Sequence, residues 1–177
     1  MSKVLRLCLD LNIWCAALLA EFKGRQDTSC QSLVKIVRQG SCTLGEVQLV
    51  ISWGMLNRLE KVLKQDLQVK NVAADLYIDA IRGYAQLSPQ LTLGGMGIIP
   101  LKDTEDAHVL ETALAGRADI LVTANFKDFI SKDTQISIPQ RYGIHVAPSH
   151  VFHIVHPYLM MDWLKTSKLP SLENYLV

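Results

Sequence analysis

Residues 102–129, KDTEDAHVLETALAGRADILVTANFKDF, place a cluster of acids, an apolar helix, a short buried strand and a polar loop in a single run. Asp103, Glu105 and Asp106 stand where a helix should begin. From Ala107 to Ala115, Val109, Leu110, Ala113 and Leu114 then recur at helical spacing. Gly116 ends that helix, and Ile120, Leu121 and Val122 read as a short strand covered on both faces. The chain leaves the strand through Thr123, Ala124 and Asn125, with Asp128 close behind. Ligands gather at the carboxyl ends of strands in a parallel sheet, so Asn125 and Asp128 lie where chemistry is placed.

The same arrangement occurs at the start of the chain. Residues 4–9 form a near-continuous apolar run that delivers Asp10 and Asn12 at its end, just ahead of an apolar helical stretch over 13–22. Two strand ends that present oxygen donors in front of a helix point to a hard cation such as Mg²⁺ or Mn²⁺. Each acid also has a plainer role. Asp10 can cap the next helix, Asp106 falls at the third position of a capping box opened by Asp103, and Asn125 suits a surface turn. Taken together they favour the ion, because converging carboxylates repel one another unless a cation or a shifted pKa relieves them.

Around these two segments the sequence predicts alternating helices and strands in one domain over 1–156, followed by an extension over 157–177 that packs on the body or on a dimer partner. Thr28 or Ser29 caps a helix stopped by Gly40, 47–51 is a strand, and Ser52 caps a helix over 55–64. A longer helix over 71–87 shows Ala74, Ile78, Ile81 and Ala85 on one face. The glycine-rich stretch LTLGGMGIIP at 91–100 reads as a turn leading to a strand near Ile98 and Ile99. It lacks the Gly-Lys-Ser/Thr of a phosphate loop. A final strand is expected over 143–147, with Pro148 and Ser149 opening a helix. On such a helix His150, His153 and His156 would not share a face, which argues against zinc.

The 18 Lys and Arg against 17 Asp and Glu provide no bulk electrostatic pull on nucleic acid, so contact with RNA must rest on local patches such as Lys61, Lys64 and Lys70. Cys8, Cys15, Cys30 and Cys42 lack a C-x-x-C pair and read as reduced thiols. Arg6, Asp10 and Asn12 interrupt any signal-peptide pattern, and no apolar run reaches the ~18 residues of a membrane span. A cytoplasmic protein with no membrane partner is expected.

Three pieces of the chain, in order, resemble a PIN domain of the kind that includes the VapC-like toxins: Leu9–Asn12 before an apolar helix, Asp103–Asp106 with Ala113, and Asp119–Phe129. The resemblance covers about residues 4–152. It implies an α/β fold, a three-layer α/β/α sandwich with a mainly parallel sheet of four to five strands. It also implies a divalent-metal-dependent ribonuclease, the toxin of a toxin–antitoxin pair, acting on RNA as a homodimer with a cognate antitoxin. Asp10, Asp106 and Asp128 become ligands of Mg²⁺ or Mn²⁺ and, with Asn125, the catalytic set. Asn12, Thr123 and Arg58 become substrate-binding or positioning residues. The family's usual helix Glu, aligned on Leu59, falls on Arg58. Glu60 lies two residues, about 200°, around the helix and reaches the ion only through a register shift. The main alternative is a degenerate PIN domain that binds RNA or protein and cuts nothing. A phosphatase with an aspartyl nucleophile lacks its second Asp, which Asn12 replaces, and a nucleotide switch lacks its phosphate loop.

Overall fold

A computed structural model describes residues 4–86 and 104–175. Asp103, the 91–100 stretch with its expected strand, and the side chain of Glu105 lie outside the described residues. In chain order the elements are β1 (Leu5–Leu9), α1 (Leu11–Phe22), α2 (Ser29–Gln39), β2 (Ser41–Cys42), β3 (Gly45–Val50), α3 (Trp53–Lys61), α4 (Asn71–Gln86), α5 (Thr104–Ala115), β4 (Ile120–Val122), β5 (Thr134–Ile138), β6 (Tyr142–Ala147), β7 (His150–Val155) and α6 (Pro157–Thr166).

The strands form one seven-stranded mixed sheet in the order β2-β3-β1-β4-β7-β6-β5, flanked by the helices in an α/β sandwich. Its centre, β3-β1-β4-β7, is parallel, and the outer strands β2, β6 and β5 are antiparallel to their neighbours. The parallel core is built from apolar runs, as strands covered on both faces require. Leu7, Cys8 and Leu9 of β1 and Ile120, Leu121 and Val122 of β4 are all fully buried. Arg6 is the polar exception in β1. Its guanidinium donates to the Gly116 carbonyl at 2.8 Å and to Gln48 Oε1 at 2.7 Å, so its charge enters the sheet already hydrogen-bonded.

After β1 the chain crosses to β3 on one side of it, and later returns to β4 on the other. The order therefore reverses between β1 and β4, and their carboxyl ends open at a topological switch point. The helices that make these crossings have clear boundaries. Thr28 and Gln31 form a capping box at α2, Gly40 closes that helix in the left-handed region at φ 69°, and Ser52 Oγ accepts from Met55 N at 3.2 Å. α3 is shorter than the 55–64 expectation at its carboxyl end, where the chain runs into a π-helical turn, Val62–Asp66.

The carboxyl-terminal part differs from the sequence reading. Pro148 and Ser149 form a tight turn rather than a helix start, and His150–Val155 is β7, hairpin-paired with β6. The run HVFHIV is rich in β-branched and aromatic residues, and tertiary pairing decides its conformation. The helix begins at Pro157, with His156 as N-cap. The three histidines therefore serve separate roles. His150 Nε2 donates to the Ala118 carbonyl at 2.6 Å, His153 Nδ1 pairs with the Tyr142 hydroxyl at 3.0 Å, and His156 Nδ1 accepts from Tyr158 N. α6 packs Met160, Trp163 and Leu164 into the common core, and Thr43 Oγ donates to the Leu164 carbonyl at 2.6 Å. The sheet ends at β5, whose Ile136 and Ile138 are half exposed and whose ladder with β6 shifts register between them.

Candidate active site

At the switch point lies a cleft of about 370 Å³, lined by Asp10, Asn12, Asp106, Asn125 and Asp128. Its apolar wall comes from Cys15 and Leu19 on α1, Val62 and Leu67 after α3, and Val109 on α5. Five residues read from the sequence as candidates thus border one space, although they come from the ends of two strands and the start of α5.

Asp10 is the most constrained. It extends β1 by one rung, with its N–H donating to the Val122 carbonyl at 3.0 Å, and it also caps α1. Its Oδ1 accepts from Leu11 N at 2.6 Å. Its Oδ2 accepts from Asn12 Nδ2 at 2.6 Å and from the Thr123 hydroxyl at 2.7 Å. The capping role and the site role are therefore held by the same side chain. Only 5% of Asp10 is exposed, and burial lifts its carboxyl pKa to about 6. The hydrogen bonds from Thr123, Leu11 and Asn12 oppose that rise, while the Asp128 carboxylate adds to it.

Thr123 is fully buried, so of the two roles expected of it, substrate-binding or positioning, the structure favours positioning. It is a positioning residue: its oxygen bonds Asp10 on one side and accepts from Asn125 N at 3.0 Å on the other. Asn12 completes the link, with Oδ1 accepting from Ala124 N at 3.3 Å. The carboxyl ends of β1 and β4 are thereby tied together through side chains. The loop then turns into a 3-10 helix, Phe126–Phe129, whose buried Phe126 and Phe129 anchor the exposed Asn125 and Asp128. Gly143 on β6 makes room for that anchor, since a Cβ there would sit 3.2 Å from the Phe126 ring.

One expected participant is engaged elsewhere. Glu60 is held by Lys64 at 2.6 Å, and Lys64 also reaches Asp75 at 2.6 Å, so the acid belongs to a surface network between α3 and α4. Neither Glu60 nor Arg58 is among the described residues lining the cleft. The place of Cys15 and Leu19 in the cleft wall went unread in the sequence, although Asn12, Cys15 and Leu19 follow helical spacing down one face of α1. The Cys15 thiol is no nucleophile, because burial, then Asp10 and Asp66, push its pKa to about 11.

The polar lining is mostly oxygen, three carboxylates and the amides of Asn12 and Asn125 with the Cys15 thiol beside them, and carboxylate oxygens suit a hard divalent cation. Among the described residues, no group of three or more His, Cys, Asp or Glu side chains is arranged to hold a metal ion. The acids ring the cleft, and an ion there would take further ligands from water, as Mg²⁺ ordinarily does. No described helix is long and apolar enough to cross a membrane. A family model for the PIN domain matches residues 6–127. No curated protein and no solved structure matches the chain.

Proposed function

The chain belongs to the PIN domain family, whose members are generally nucleases, and on that premise we propose that it is a divalent-metal-dependent ribonuclease cutting RNA phosphodiester bonds. One observation carries the reading: Asp10, Asp106 and Asp128 border a single cleft at the point where the strand order reverses. A bound Mg²⁺ or Mn²⁺ supplies positive charge against the scissile phosphate and lowers the pKa of water. The protein's own residues prepare the place. Leu11 N, Asn12 and Thr123 fix both oxygens of Asp10, and Asp10 stays mostly ionised at neutral pH despite its burial. Asp106 and Asp128 contribute the remaining charge, and the Asn125 amide orients substrate or water at the rim. Val62, Leu67 and Val109 keep one side of the cleft apolar, which strengthens the electrostatic interactions inside.

The family likeness also supports a toxin's part in a toxin–antitoxin pair, with an antitoxin partner, self-pairing and a cytoplasmic setting. Growth arrest on induced expression, relieved by a small charged protein encoded next to it, would test that part. The rival reading, a PIN domain that binds without cutting, draws on Arg58 standing where the family's Glu is usual and on Glu60 being held by Lys64. Incubating labelled RNA with wild type and Asp10→Asn in Mn²⁺ separates the two. Cleavage by wild type alone supports the ribonuclease, and intact RNA with both proteins leaves the binding module.

A further inference from the structure

A second pocket of about 320 Å³ lies farther along α1 from the acidic cleft, and Leu19 lines both. Asn12 and Cys15 border the first space, and Ala16 and Lys23 the second, so one face of α1 forms the floor between them. The two ends carry opposite charge. Among the described residues, the cleft is lined by three carboxylates and no cation, whereas the second pocket has Lys23 and Arg25 and no carboxylate. Glu21 and Asp27, the acids of that stretch, border a different pocket on the far side.

We propose that this second pocket is a subsite for single-stranded RNA, holding the phosphate backbone a few nucleotides away from the cut bond. The proposal rests on the ribonuclease reading of the acidic cleft. Among the described residues neither Lys23 nor Arg25 has an ion-pair partner, whereas Lys64, Arg82 and Lys165 all do. Their backbone is fixed by the close of α1, where Gly24 turns at φ 66° and Arg25 N donates to the Ala20 carbonyl at 2.9 Å. On the opposite rim Tyr158 is 64% exposed, an aromatic face on which a base can stack. The eleven steps from Asn12 to Lys23 span about 17 Å at ~1.5 Å each. That is about five stacked nucleotides at ~3.4 Å apiece, and fewer if the strand is splayed. In a chain of nearly neutral net charge, two cations beside the acidic cleft supply the local attraction for RNA that the bulk charge does not.

The test is fluorescence anisotropy of a labelled single-stranded RNA of about ten nucleotides in Mg²⁺ buffer, over a salt series. It compares Asp10→Asn, which prevents cutting, with the same protein carrying Lys23→Ala and Arg25→Ala. Removing both cations is expected to weaken binding at least tenfold and to lower the salt slope by about 1.4, at ~0.7 per phosphate contact. Tyr158→Ala should weaken binding without changing that slope. Lys132→Ala with Lys168→Ala, exposed cations that line neither pocket, should leave affinity as it was. An equal loss from that control pair, or no loss from Lys23 and Arg25 in a protein that cuts RNA, overturns the subsite. A wild type that binds through these cations but never cuts overturns the ribonuclease reading and leaves the subsite standing. A wild type that neither binds nor cuts removes both.

Discussion

Replacing Asp10 by Asn should make the ion-free protein more stable at neutral pH and leave that advantage absent in acid. Burial raises the Asp10 pKa from 3.8 to about 6, so the native state binds its proton more tightly than the unfolded chain does. The associated stability is fully present below pH 3.8 and is lost as pH rises through about 6. A shift of about two units at ~1.36 kcal/mol per unit amounts to ~3 kcal/mol. Asparagine carries no such dependence. Its altered hydrogen bonds to Thr123 and Asn12 add a constant offset, which the change with pH removes. Urea unfolding followed by far-ultraviolet circular dichroism, with a chelator present, should show the stability of Asp10→Asn relative to wild type climbing by ~3 kcal/mol between pH 4 and 8. Saturating Mn²⁺ at a hundred times its dissociation constant should then return ~2.7 kcal/mol to the wild type and little to the variant. A stability difference that stays flat across that pH range would mean that the carboxylate is not held at an energetic cost. Equal stabilisation of both proteins by Mn²⁺ would place the ion elsewhere.

Other residues test the same construction. Asp128→Asn should lower the Asp10 pKa only partway, since burial and not the neighbouring charge is its largest cause; NMR titration of the Asp10 carboxyl carbon reads it. Thr123→Val removes a buried donor to Asp10 and the acceptor of Asn125 N, so it should cost about 1–3 kcal/mol by urea unfolding and raise the Asp10 pKa further, whereas Thr123→Ser should keep both. Gly143→Val should cost about 1–3 kcal/mol by overpacking and lower RNA cleavage more than that loss explains, because Phe126 is displaced and carries Asp128 with it. Trp14→Ala, which opens a cavity at a fully buried site, should cost about 3–5 kcal/mol. It should also loosen the start of α1, where the indole N–H donates to the Leu9 carbonyl at 3.2 Å.

Three of the four parallel central strands, β3, β1 and β4, were legible because they are apolar runs, and Ile120–Val122 fell where the pattern put it; the fourth, β7, was not. Nor were the edges. β5, TQISI, is mostly exposed and carries little hydrophobic signal, and two-residue β2 exists only as a partner of β3. β7 was read as the start of a helix because a Pro–Ser pair signals a helix cap and six residues are too few for the period to decide. Within the site, the order of acids along the chain pointed to one cleft. The sequence could not show that Thr123 is buried beneath Asp10, nor that Lys64 holds Glu60, since both depend on which way a side chain turns from a correctly placed backbone.

The shift in pairing between Ile136 and Ile138 has a consequence for how the molecule behaves in company. Among the described residues β5 is the outermost strand, and such an edge with two half-bare isoleucines invites other chains to add on. The irregularity breaks the even spacing of the free amides and carbonyls, so an incoming strand finds no continuous template to zip onto. Straightening it by deleting Ser137 would turn this border from a guarded rim into a seed for fibre growth.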